Sequence, residues 1–130
     1  MKPSLPVLLS LACLFAGPAL AQAPAKPAPA KSPCFRLSDL ENHKIVDAHT
    51  LYYGVRGKEV YKFTMSGSCL AAAQDSDPLV LEPFSSTTIC RPMDLNLGVM
   101  IGGGTQTCII KSIEKLTPEQ VAAIPKKFKP

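Results

Sequence analysis

Leu95-Asn96-Leu97-Gly98-Val99-Met100-Ile101 sets Leu95, Leu97, Val99 and Ile101 on one face at a period of two. That period marks a half-buried β-strand, with one face on a core and the other in solvent. The stretch lies between Cys90 and Cys108, and Cys69 precedes both. With Cys34 these make four thiols that we read as two disulfides, around which a small β-rich domain is built.

Working outward, Gly102-Gly103-Gly104 is a flexible turn and residues 106–113 return as the last strand. On the N-terminal side, Arg91-Pro92-Met93-Asp94 is a turn, residues 87–90 a short return strand and residues 79–82 its partner, stopped by Pro83. Residues 59–65 alternate Tyr61, Phe63 and Met65 against Val60, Lys62 and Thr64. Residues 45–55 are β-rich, and Gly54 and Gly57 bracket the turn of a hairpin between the two. Ser38-x-x-Glu41 has the form of a capping box on a helical turn or capped loop. A second box is Thr117-Pro118-Glu119-Gln120, with Leu116 and Val121 as its hydrophobic staple, opening a helix that ends before Pro125 and packs Val121 and Ile124 on the sheet. The pattern predicts a mainly β fold: a small antiparallel β-barrel or rolled sheet of about six strands with a short C-terminal helix and two disulfides.

Residues 1–21 read as a secretory signal peptide, with Lys2 as the charged start, an apolar stretch over 5–15 and Ala19-Leu20-Ala21 as the cleavage site. In Ser10-Leu11-Ala12-Cys13 the Leu stands one place too close to the Cys for a lipobox, so cleavage after Ala21 is expected rather than lipidation at Cys13. Residues 22–33, QAPAKPAPAKSP, form a Pro/Ala-rich linker of extended character. The domain proper is expected over 34–125, with 126–130 as a frayed basic tail and no transmembrane segment in the mature chain. The net charge of +4 misleads, because over 34–125 eight Lys and Arg stand against ten Asp and Glu. A mildly acidic domain lacks the clustered positive face that nucleic acid requires. Export places the protein in the periplasm or outside the cell, where disulfides persist.

Four cysteines allow three pairings. The expected one joins Cys69 to Cys90, pinning the hairpin between them, and Cys34 to Cys108, where barrel closure brings the first and last strands together. Its competitor joins Cys90 to Cys108 and Cys34 to Cys69. Spacings of 35, 21 and 18 residues contain none of the close pairs of a zinc site, and no C-x-x-C redox motif is present. His43 and His49 could share a metal with Asp47, but ordinary surface histidines are expected. The glycines of 102–105 superficially resemble a phosphate loop, yet the following Lys is missing and a hairpin turn is expected. Asp94 is either a ligand at a loop tip or the closure of a turn onto nearby backbone N–H groups. No cofactor and no catalytic residue is marked.

Cys34, Asp47-x-x-Thr50-Leu51-Tyr52, the segment from Tyr61 to Cys69, Ile89-Cys90-x-x-x-Asp94, Cys108 and Leu116-Thr117-x-Glu119 resemble a family of small exported bacterial four-cysteine domains of uncharacterised function. The chain departs from that pattern where Arg91-Pro92-Met93 replaces a shorter, glycine-containing segment. The expectation is a non-enzymatic binding or structural module of the bacterial envelope, with an envelope protein as partner. The alternatives are an inhibitor of a secreted hydrolase, presenting a loop such as 91–94 or 102–105, and an enzyme using unrecognised carboxylates.

Overall fold

The computed structural model describes residues 34–130, which belong to one compact unit. The signal peptide expected over 1–21 and the linker expected over 22–33 lie outside the described residues. Among the described residues nine strands form: β1 (Phe35–Arg36), β2 (Leu40–Asp47), β3 (Thr50–Val55), β4 (Glu59–Met65), β5 (Leu79–Pro83), β6 (Thr88–Ile89), β7 (Leu95–Ile101), β8 (Gly104–Cys108) and β9 (Ile110–Lys115), followed by the helix α1 (Pro118–Ala123). They make three sheets, β2-β3-β4-β9, β5-β7-β8 and β1-β6, in which every strand pair is antiparallel. The mainly β character, the short helix and the two disulfides agree with the sequence reading. The six-strand count does not, and the sheets of the described residues do not close into a barrel.

The extra strands have local causes. Within 45–55 the Asp47 carboxylate accepts the His49 N–H at 2.8 Å. This Asx turn reverses the chain without a Gly or Pro and splits the stretch into β2 and β3. The expected last strand, 106–113, divides at Ile109. Up to Cys108 the chain pairs with β7, and from Ile110 onward it pairs with β4. Residues 87–90 do not return along β5. Thr88 and Ile89 pair with β1, and β5 pairs with β7, setting Leu79 opposite Val99 and Leu81 opposite Leu97. The β7–β8 turn has positive φ at Gly102 (59°) and Gly103 (86°), the sign pattern of the tight hairpin turns whose twist matches that of their strands.

One core lies between the sheets. Leu51 and Tyr53 of β3, Tyr61, Phe63 and Met65 of β4, and Leu95, Leu97 and Val99 of β7 are all buried in it. Phe35 of β1 joins them, its ring 4.8 Å from Tyr61 and 6.1 Å from Phe63, both tilted. Tilted pairs at such distances contribute about 0.5–1.5 kcal/mol beyond the area they bury. On the opposite face of the four-stranded sheet Val60 is buried, as is Ile124 at the end of α1. The expected box forms there: the Gln120 N–H donates to Thr117 Oγ1 at 3.3 Å, and the Thr117 N–H donates to Gln120 Oε1 at 2.8 Å. The box expected at Ser38 does not form. Leu37–Asp39 is a 3₁₀ turn without a side-chain cap, because Glu41 is drawn into β2. Lys126–Phe128 forms a 3₁₀ turn, and Pro130 lies against the backbone at Gly54.

The disulfides are Cys34–Cys90 and Cys69–Cys108, neither the expected pairing nor its competitor. The reason is the β1–β6 ribbon. Phe35 faces Ile89 and Arg36 faces Thr88, so the next pair in register is Cys34 with Cys90. Their Cα atoms are 4.3 Å apart, as in a non-hydrogen-bonded antiparallel pair. Cys69 meets Cys108 because the end of β4 runs beside the Ile109 corner, where the Ser66 N–H donates to the Ile109 carbonyl at 2.8 Å. Non-reducing peptide mapping should recover these two bridges. The bridges span 56 and 39 residues, and removing either should lower stability by about 4 kcal/mol on the chain-entropy model, read as the loss in urea midpoint of Cys34→Ala/Cys90→Ala and Cys69→Ala/Cys108→Ala.

Candidate functional site

The β7–β8 ladder ends at Leu97 opposite Cys108. Continued in register, it would set Asn96 against Ile109 and Leu95 against Ile110. Instead β9 turns away to pair with β4, and the two strands fork. The fork is an open groove of about 680 Å³, walled by residues 107–111 on one side and by Arg91, Pro92, Met93, Leu95 and Asn96 on the other, with Phe84 beside them. Phe84, Met93 and Ile109 are 69%, 67% and 71% exposed. Single exposed apolar side chains are ordinary, but these three all line one groove.

Asp94 fixes this wall. Its carboxylate accepts the backbone N–H of Cys90 at 3.1 Å and of Arg91 at 2.9 Å, and pairs with the Arg91 guanidinium at 2.9 Å. Its carbonyl accepts the Phe84 N–H at 3.0 Å, so one residue positions both the 3₁₀ turn Pro92–Asp94 and Phe84. Of the two roles considered for Asp94, the geometry is that of the turn closure. Hydrogen bonding from Arg91, then from the Cys90 N–H, holds its carboxyl below the usual range. The stiffening by Arg91-Pro92-Met93 thus has a structural result, a braced turn with Met93 outermost.

The other wall owes its charge to an irregular ladder. β4 pairs Thr64 with Ser112 but Met65 with Ile110, so Lys111 is an extra residue with nothing opposite it. A bulge of this kind re-aims a side chain, and Lys111 lines the groove. No salt bridge to Lys111 forms among the described residues, and no carboxylate lines the groove. A second groove, of about 700 Å³, lies across Ile109 between residues 67–72 and β8, and its walls are uncharged.

The remaining sequence candidates are engaged separately. Asp47 closes the β2–β3 turn, and His49 Nδ1 lies 3.0 Å from the Gly67 carbonyl, to which it donates. His43 stacks obliquely on Tyr53 at 5.7 Å, and its buried Nε2 has no hydrogen-bond partner among the described residues. Burial lowers the His43 pKa, with Asp75 acting to raise it and Lys44 to lower it. Among the described residues no three His, Cys, Asp or Glu side chains converge in a metal-binding geometry. Gly102 to Gly104 belong to a hairpin turn and to the start of β8. Sequence reading missed Phe84, Ile109 and Lys111, and had Met93 only as part of the loop 91–94 offered to a hydrolase. Their available signal was the placing of large apolar residues in segments otherwise read as polar turns, and the run Cys108-Ile109-Ile110, which breaks strand alternation.

No family model matches the chain, nor does any curated protein or solved structure.

Two pH dependences follow. The lowered Asp94 pKa contributes stability that is present above the ordinary carboxylate range and is lost as pH falls through the folded value. Asp94→Asn should therefore lower the melting temperature at neutral pH and flatten its acid limb. The lowered His43 pKa works in the same direction at higher pH. The unfolded chain takes up a proton near pH ~6.5 that the folded chain resists, so stability should fall as pH drops below that value. His43→Phe, which keeps a ring beside Tyr53, should remove this slope in melting temperature between about pH 6.5 and 5.

Proposed function

We propose that the protein is a small, non-enzymatic binding module of the bacterial envelope, periplasmic or secreted, and that the forked groove is its docking face. The observation that carries this reading is the exposure of Phe84, Met93 and Ile109 around one groove whose wall is held by Asp94 and whose turn follows directly from Cys90. A large apolar surface kept rigid and in solvent is a poor choice for stability alone and a good one for recognition. The two disulfides fit an oxidising compartment outside the cytoplasm. No helix among the described residues is long and apolar enough to cross a membrane. The resemblance to exported four-cysteine domains points the same way.

A photo-cross-linking residue in place of Met93, in cells exporting the protein, should give a discrete adduct that Ile109→Ser removes. The same residue in place of Lys58, in the β3–β4 turn, should give none. Equal adducts from both positions, or none from Met93, would count against the groove.

A second reading is supported by the braced 91–94 turn. Its flanking disulfide and the Asp94 hydrogen bonds suit a loop that enters the cleft of a secreted hydrolase, with Met93 foremost. Stoichiometric inhibition of one enzyme in a panel of secreted peptidases, abolished by Met93→Asp, would favour it over the groove.

A further inference from the structure

We infer that the outer edge of β8 is where two copies of this chain meet, pairing antiparallel about a two-fold axis at Gln106. The backbone leads there first. The Met100 N–H donates to the Pro78 carbonyl on the β5 side at 3.0 Å, so the main-chain groups of Met100 turn away from β8. Thr105 stands opposite Met100 and Thr107 opposite Gly98, in a ladder without a register shift. Alternation in an antiparallel pair therefore turns the N–H and C=O of Thr105 and of Thr107 away from β7, to the outer side. Among the described residues neither N–H has an acceptor, and the one donor to either carbonyl is the Gln106 side-chain amide, 3.3 Å from the Thr107 oxygen. β8 has no second strand neighbour there, and the groove of about 700 Å³ runs along it, walled on the far side by the small residues Gly67, Ser68, Ala71 and Ala72. Further along, the edge is closed, because the Ile109 carbonyl accepts the Ser66 N–H.

The sequence then decides the occupant. Residues 102–110, GGGTQTCII, hold no charge and no proline. Outer strands are normally blunted against pairing. β2 is closed by the Asp75 carboxylate, which takes the Ile45 N–H at 2.7 Å and pairs with Lys44 at 3.0 Å, and β5 ends in Glu82 and Pro83. β8 carries no such device. Its exposed segment is also its own complement. Two strands centred on Gln106 set Thr105 of one copy opposite Thr107 of the other, so that every outward N–H meets an outward C=O and β-branched threonines face each other. Gln106 meets Gln106 across the axis, where each amide exchanges its long bond to Thr107 for one to its counterpart. Gly104 falls opposite Cys108, which sets no side chain against the Cys69–Cys108 bridge. A chain with net charge repels its own copies elsewhere, and an uncharged edge lets them approach. A different protein would need none of this symmetry.

The test is sedimentation of the full exported protein over a concentration series, with amide hydrogen exchange at the lowest and highest concentrations. Mass should rise from monomer toward dimer as the protein approaches about 1 mM. The Thr105 and Thr107 amides should exchange rapidly in dilute solution and become protected at high concentration. The Gln106 amide, which faces β7, should be protected in both. Gln106→Lys and Gln106→Glu each set like charges against one another at the axis. Each should dimerise about fivefold more weakly, and an equimolar mixture of the two should recover the dimer. Unchanged circular dichroism spectra show that both variants keep the fold. A chain that stays monomeric over the series, or a dimer whose strength neither substitution changes, overturns the inference. So does growth beyond the dimer, since a two-fold contact closes on itself. Protection of both amides in the monomer would mean that the chain's own residues cover the edge, and protection gained only on adding periplasmic extract would mean that another protein does. Either outcome also overturns it.

Discussion

Phe35 against Tyr61 and Phe63 is the contact on which the rest of the arrangement depends. β1 is two residues long, and a ladder that short cannot hold itself together. It stays in place because Phe35 is buried in the aromatic centre of the core and because Cys34, one residue earlier, is tied to Cys90. The ribbon in turn sets the position of Ile89 and Cys90, and Cys90 donates its N–H to Asp94. From there the dependence runs outward to the Pro92–Asp94 turn, to Phe84 and so to the groove wall. The packing of one phenylalanine ring thus decides where a surface feature stands several residues away.

The corner at Ile109 has a comparable double effect. The strand from Gly104 serves two sheets in succession, which lets both wrap one core without closing. The same departure from β7 opens the fork. Ile109, between buried Cys108 and Ile110, faces outward at the turning point. Fold and candidate site therefore share a cause, and a sequence change that straightened the corner would alter both.

What could be read from the sequence was what is local. The Thr117–Gln120 box, the glycine turn at 102–103, the β3–β4 hairpin and the Asp94 turn are each specified by residues within a few positions of one another, and each was legible. The Ala48-His49 reversal was not, because Asp47 makes it without a glycine or proline, inside a run of strong β-formers. The β1–β6 pairing was not, because two residues carry no periodicity and their partners lie more than fifty positions away. Without that ribbon the cysteine pairing could not be deduced, and the hairpin assumed between residues 79 and 90 pointed to the wrong partners. The groove stayed hidden for the same reason: it is made where two ladders diverge, and a single strand's pattern does not show where its neighbour leaves it.

The two bridges also interleave. In chain order the bridged cysteines are 34, 69, 90 and 108, and each bond skips over one of the others, 34 to 90 and 69 to 108. No native bond joins neighbours in the sequence. A chain that emerges N-terminus first presents Cys34 and Cys69 together before either true partner has arrived. An oxidant acting in order of appearance would seal that pair, closing a loop that the finished topology does not contain. In a chain oxidised that way, a thiolate would have to reopen the early bond and hand its sulfurs on before both native bridges could form, which is disulfide exchange rather than oxidation alone.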